Sequence, residues 1–266
     1  MRRALTVAVV LCLATPIVAT ATRADLARAR TLYNERQFDA AIAFAELARQ
    51  TPATADAAAV VLARSHLERY RERVDPADLA AARAALAVVR PVTLESRDQV
   101  EFLLASGASL FLEDEFGAAA ELFESGLVQA QSDPLLRDSM LDWWASAVER
   151  HAAGADRELR VLEFTRLGER MLRELQSNPG SAPAGYWVVV AARGSGDAQL
   201  AWSAAIASWV RARLAGEHAA MLRADLDRLV QEGIIPDRVR PMPADQRTQA
   251  ELDLRAEWEL IKQKWQ

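Results

Sequence analysis

A constant offset of 78 residues relates two stretches of this 266-residue chain and limits its folds more than any other feature. In TLYNERQFDAAIAFAELA (31–48) and SLFLEDEFGAAAELFESGL (109–127), Leu32 aligns with Leu110, Tyr33 with Phe111, Glu35 with Glu113 and Phe38 with Phe116. Ala41 then falls on Ala119 and Ala48 on Gly126. A pattern repeated at fixed spacing means that one structural unit is built more than once. Within each copy the apolar residues follow a helical period: Leu103, Gly107, Leu110 and Phe111 form one stripe, and Ala119, Leu122, Phe123, Gly126 and Leu127 another. Residues 113–116 have room only for a tight turn, so the spacing predicts two antiparallel helices, an αα-hairpin. The same reasoning pairs 24–36 with 38–50.

Between these hairpins, residues 54–91 predict a third pair with a longer connection, its second helix started by Asp75-Pro76. Pro52 and Pro91 separate successive hairpins, and half the offset gives about 39 residues per unit. A fourth pair follows Asp133-Pro134 and breaks at Gly154. The segment SNPGSAPAG (177–185) reads as a boundary or joint. Beyond it a hairpin turns at Gly194–Gly196, where the Val188–Val190 run fits helix or strand. A helix over 217–232 is expected to end at Gly233. IIPDRVRPMPAD, with three prolines, reads as a loop. A last helix over 245–265 aligns Ala250, Leu254, Trp258, Ile261 and Trp265 on one face, which must cover something.

The start, MRRALTVAVVLCLATPIVATATRAD, has the three parts of a secretory signal peptide, with cleavage after Ala21. An uncleaved anchor is the alternative, disfavoured by Pro16 and by an apolar length below the ~20 residues of a span. Cys12, the single cysteine, would leave with the signal, and Leu11 before it does not suit lipidation. A cysteine-free mature chain has no thiol catalysis and suits an oxidising compartment. The net charge of -5 argues against nucleic acid as a partner. Lys occurs only at 262 and 264, which with the abundant Ala reflects GC-rich coding.

A fixed-period series of helix pairs with Ala29, Leu32, Ala41, Ala45 and Ala48 in one unit, and Gly107, Leu110, Ala119, Phe123 and Gly126 in another, resembles the tetratricopeptide repeat family. The units are longer than the usual ~34 residues, the second is degenerate, and the match fades after about residue 176; armadillo and HEAT pairs are the rival architecture. The resemblance implies an all-α, right-handed superhelix of antiparallel helix pairs over 22–176, behind a signal peptide at 1–21 and before a helical C-terminal cap at 182–266. It also implies that the first helix of each pair lines a concave surface that binds a protein or peptide. Arg30, Tyr33 and Asn34, and in the third unit Ala108, Phe111 and Leu112, match the exposed positions of that surface. The alternative for Tyr33 and Phe111 is packing against the neighbouring unit. The set of Lys and Asn with which some family members hold a terminal carboxylate is missing.

Chemistry is sparse. His66, His151 and His218 fall in separate predicted helices without metal-ligand spacing. Gly194-Ser195-Gly196 reads as a turn before a helix capped by Asp197, not a phosphate loop. Glu113-Asp114-Glu115 sits on a corner with its carboxylates diverging. Of the tryptophans, Trp202 and Trp209 share a face and read as core, whereas Trp143, Trp144 and Trp187, with Tyr186, could stack on a sugar or peptide. The sequence therefore predicts a non-enzymatic, cofactor-free, exported scaffold or adaptor of the bacterial envelope. The alternatives are a helical domain acting on cell-wall glycan through Glu163 or Glu217, and a self-assembling structural component.

Overall fold

The computed structural model describes residues 15–130 and 133–265, with side chains from Arg23 onward except at 217 and 218. The basic start and Cys12 of the signal-peptide reading lie outside these residues. The described residues are all-helical, without a strand. The chain divides into two compact units, residues 1–109 and 110–266.

The first unit holds α1 (Thr15–Asn34), α2 (Phe38–Arg49), α3 (Ala55–Arg73), α4 (Pro76–Ala87), a 3-10 turn (Pro91–Thr93) and most of α5 (Ser96–Leu112). α1 packs on α2, α2 on α3 and α3 on α4, while α1 also meets α3. Alanine makes this possible: Ala29, Ala41, Ala45 and Ala48 are fully buried, so helix backbones approach closely. α3 is the central helix, buried without a break from Ala58 to Ala63, as expected of a helix apolar on every side. The longer connection expected before α4 is not there. Val74, in the left-handed region at φ 55°, and Asp75 suffice, and Ala77 N–H donates to the Asp75 carboxylate at 3.0 Å.

Asp78 on α4 is buried and fastens this helix to α3. It accepts from Arg69 Nε at 2.8 and 2.9 Å and sits 2.8 Å from His66 Nδ1, while Arg69 Nη1 reaches Asp39 on α2 at 2.7 Å. Burial alone would raise the Asp78 pKa, but the hydrogen bonds from Arg69 and His66 outweigh it and hold the carboxyl below its usual value. A depressed folded pKa gives stability that is present above the unfolded value and lost as pH falls through the folded one. Wild-type unfolding free energy is thus expected to exceed that of Asp78→Asn by about 1–3 kcal/mol at neutral pH. The gap should begin to narrow below about pH 4, where the unfolded carboxyl protonates, and close as pH falls on through the lower folded pKa; urea titrations at a series of pH values check this, and a pH-independent gap would refute it.

The second unit continues from the end of α5 through α6 (Phe116–Gln129), α7 (Pro134–Ala153), α8 (Arg157–Ser177), α9 (Ala182–Gly194) and α10 (Ala198–Arg211). A 3-10 segment (Ala212–His218), α11 (Ala219–Leu229), a π-turn (Val230–Ile234), α12 (Ile235–Val239) and α13 (Ala244–Lys264) complete it. Neighbours in sequence from α6 to α10 pack on one another, and α7 also meets α9. Polar caps start these helices: Leu136, Leu159, Ala184 and Leu200 N–H groups donate to Asp133, Asp156, Ser181 and Asp197. Val188–Val190 is helical, which settles the ambiguity in the sequence.

The corners give the repeat its physical content. Gln37 N–H donates to Leu32 O at 2.8 Å and Arg36 N–H to Tyr33 O at 3.0 Å; 78 residues on, Glu115 donates to Leu110 at 3.0 Å and Asp114 to Phe111 at 3.1 Å. Arg36 and Asp114 are both left-handed, at φ 58° and 62°. The first-helix aromatic meets the second-helix one in both copies: Tyr33 and Phe38 lie 5.8 Å apart, Phe111 and Phe116 5.1 Å. A third copy, missed in the sequence, follows at α9–α10, where Asp197 donates to Ala192 at 2.9 Å, Gly196 to Arg193 at 3.0 Å, and Gly196 has φ 92°. Such a bond pair with a left-handed residue is the Schellman ending of a helix. Ala201, Ala205 and Ser208 on α10 take the buried places of Ala119, Phe123 and Gly126 on α6.

Two expectations for the C-terminal region need correction. Gly233 does not end a helix, and residues 234–239 are not a loop: helical backbone runs from α11 through the π-turn into α12, with Pro236 in the first turn of α12. The π-turn tolerates the absence of the N–H that proline lacks. Gly233 is instead a close approach, since a Cβ there would lie 2.6 Å from the Arg193 guanidinium carbon. α13 covers a core formed by Trp202 and Trp209 of α10 with Leu226, Val230, Ile234 and Ile235. Of the stripe read from the sequence, Trp258 is fully buried there, Leu254 and Ile261 pack beside it, and Trp265 remains exposed.

Candidate functional site

In the first unit the first helices of the hairpins bring charged and aromatic side chains together. Arg64 on α3 places its guanidinium 4.3 Å from the centre of the Tyr33 ring on α1 and donates to the Tyr33 hydroxyl at 3.2 Å. Its Nη1 also lies 2.7 Å from Glu101 Oε2 on α5, and Arg97 Nε donates to the same carboxylate at 3.2 Å. Arg30 pairs with Asp98 at 2.5 Å. Burial raises the pKa of Asp98 despite Arg30 beside it, and raises that of the Tyr33 phenol. Arg30, Tyr33, Arg64, Arg97 and Glu101 border a cavity of about 100 Å³, and Asn34 stands exposed at its edge. Tyr33 is thus both packed and reachable: its ring rests on its own hairpin while its hydroxyl meets this network.

In the second unit Phe111 is half-buried, edge-on to Trp143 at 5.2 Å as well as to Phe116, and Trp143 stacks on Phe123 at 5.8 Å. Leu112 is half-buried beside it. Of the six positions matched to the binding surface, Ala108 is corrected. It is 5% exposed, because a small residue at that place lets helices close together. Arg64, Asp98 and Glu101 were not singled out by the sequence pattern. A charge directly after the apolar run of residues 57–63 on α3 was the signal that could have revealed Arg64, since a buried arginine requires a partner.

Two larger clefts lie within the second unit. One, about 660 Å³ between α6, α7 and α8, includes Glu163, Trp144 and His151. Trp144 is buried with the Arg170 guanidinium 5.7 Å from its ring centre, so no open ring face is presented there, and Glu163, one of four glutamates in the lining, faces Arg166 at 3.4 Å. Glu217 and His218 lie outside the residues whose side chains are described. The other cleft, about 490 Å³, lies between α7, α9 and the segment leading into α11. Trp187 is buried at its back and donates from Nε1 to Asp142 at 2.8 Å. His66 is taken by Asp78, and the His151 ring lies against Gly117, 3.4 Å from where its Cβ would stand. Among the described residues no cluster of His, Cys, Asp or Glu could hold a metal ion, and no helix is long and apolar enough to cross a membrane. In comparisons with known proteins the chain matches no family, no curated protein and no solved structure.

Proposed function

We propose that this chain is an exported protein-binding scaffold of the bacterial envelope, a tetratricopeptide-like stack of helical hairpins that presents its first helices to a partner. The observation that carries the reading is the recurring corner. The same pair of backbone bonds and the same left-handed residue return at Arg36, Asp114 and Gly196, so each of these hairpins leaves its first helix in the same relation to its second. Stacking such units into a right-handed superhelix would align the first helices as a preformed surface that binds without losing much conformational entropy. Side chains at Arg30, Tyr33 and Asn34, and at Phe111 and Leu112, supply selectivity on this reading. Export rests on the leader pattern of residues 1–21.

A photo-cross-linking residue at Asn34 or Leu112 tests this in native cells. It is expected to give a discrete adduct in the envelope fraction, whereas the same residue at Glu46 or Glu124, on the exposed faces of second helices, gives none. Equal adducts at all four positions, adducts at none, or a cytosolic protein retaining residues 1–21 would each defeat the proposal.

A further inference from the structure

Antiparallel packing brings the starts of α1, α3 and α5 and the ends of α2 and α4 to one end of the first unit. A cleft of about 650 Å³ there is lined jointly by Arg23 of α1, Pro52 of the α2–α3 connection, Asp56 of α3, Arg90 after α4 and Asp98 of α5. On either side of Arg90 and Pro91, Val88 and Val92 stand 61% and 91% exposed. Aliphatic side chains so placed add no burial to the fold and are available to an apolar phase outside it.

The charges at this end are sorted by depth. In the Arg90–Asp56 pair 65% of the arginine side chain is exposed and 11% of the aspartate; in Arg30–Asp98 the figures are 41% and 7%. Asp56 is drawn inward further by the Thr93 hydroxyl, which donates to it at 2.6 Å. Arg23 is exposed as well, alongside Glu95. At the opposite end of the unit the order reverses: Asp39 keeps 61% of its side chain exposed, while Arg69, which binds it, keeps 22%. An anion approaching the Val92 end therefore meets guanidinium groups before the carboxylates paired with them, although the whole chain carries a net charge of -5.

The path of the chain points the same way. Residues 4–22, which lead into this end, contain no charged side chain, and Arg23 is the first cation after them. That order suits an apolar segment leaving a bilayer, where arginine reaches the headgroups. Arg23 and Arg90 line one cleft, so Val88 and Val92 lie near the level of that cation.

We infer that this end of the first unit docks on the surface of a bilayer containing anionic phospholipid. Val88 and Val92 enter the interface, and Arg23 and Arg90 meet the phosphates. A second copy of the chain is a poorer occupant, because the outward guanidinium groups of two such ends would face one another. Cleavage after Ala21 leaves all four residues in place. The inference goes beyond the scaffold reading and does not need it, since Asn34 lies at the other end of α1.

A polarity-sensitive fluorophore on Val92→Cys tests this in the whole chain with Cys12→Ala. On vesicles of phosphatidylethanolamine and phosphatidylglycerol its emission is expected to shift to shorter wavelength and to be quenched by a nitroxide on the acyl chains. The same fluorophore on Val74→Cys, at the opposite end, should stay open to iodide in water. The lipid concentration for half of the Val92 shift should rise at least about tenfold in Arg23→Gln/Arg90→Gln, and again when phosphatidylcholine replaces phosphatidylglycerol. An unchanged thermal melt confirms that the double variant folds, and Val88→Asp, at an exposed position, is a second variant expected to weaken the response. A chain that floats with the vesicles while Val92 stays as open to iodide as Val74 would overturn the inference, because the residues before α1 would then hold it alone. So would equal responses to anionic and zwitterionic vesicles, or a shift that grows with protein concentration in the absence of lipid, since the occupant would then be a second copy. Loss of the Asn34 adduct removes the scaffold reading and leaves this surface standing; loss of the Val92 response does the reverse.

Discussion

Trp258→Ala is expected to lower the unfolding free energy by about 3–5 kcal/mol, the range for removing a buried aromatic side chain. Trp258 is fully buried, with its ring centre 5.5 Å from that of Trp209 and 5.9 Å from that of Trp202. Its indole Nε1 also donates to Asp227 at 2.7 Å, a carboxylate shared with Lys262 at 2.9 Å. Alanine would leave a cavity between α10 and α13 and remove one donor from Asp227. Leu254 and Ile261 would remain to hold α13, but they only flank the core. Trp265→Ala is the control, because an exposed ring should change stability within about 0.5 kcal/mol. Denaturant unfolding followed by near-ultraviolet circular dichroism reads both; similar small losses for the two variants would show that α13 is not fastened through Trp258.

Glu174→Ala is expected to cost about 3–5 kcal/mol for a different reason, the stranding of a buried charge. Glu174, near the end of α8, has 3% of its side chain exposed and accepts from Arg137 Nε at 2.9 Å and from Arg137 Nη2. Arg137 also donates from Nη1 to Leu127 O at 2.9 Å, so one guanidinium joins the end of α6, α7 and α8. Without Glu174 its guanidinium loses the carboxylate bound to it in a largely desolvated place. Replacing both residues, Arg137→Met with Glu174→Leu, removes the charge along with its partner and should be less destabilising than Glu174→Ala alone. Additive losses in that double-mutant cycle would show that the pair contributes nothing as a pair.

Glu174 also shows where reading of the sequence stopped. It sits in RELQ among other exposed charges, and nothing local marks it as buried. Its partner is 37 residues away on another helix. The same holds for Arg64 and Glu101. The failures at Gly233 and Pro236 have a related origin: glycine and proline are local breakers by intrinsic propensity, yet Gly233 lies inside helical backbone against the Arg193 guanidinium, and Pro236 sits in the first turn of α12. The turn at Gly194–Gly196 was legible, but not as a third copy of the corner, because Ala192, Arg193 and Ala198 share little identity with Leu110, Phe111 and Phe116, whereas the backbone bonds depend on chain geometry.

The sequence by itself determined that this chain is helical, where most helices start, and that the corners at Arg36 and Asp114 are one structure used twice. Those properties follow from periodicity, caps and turns, which act over a few residues. Only the tertiary structure decided that Ala108 is closed off, that Trp258 anchors the last helix, and which carboxylate pairs with which cation. Burial and charge pairing depend on which side chains meet across helices, and those partners lie tens of residues apart in the chain.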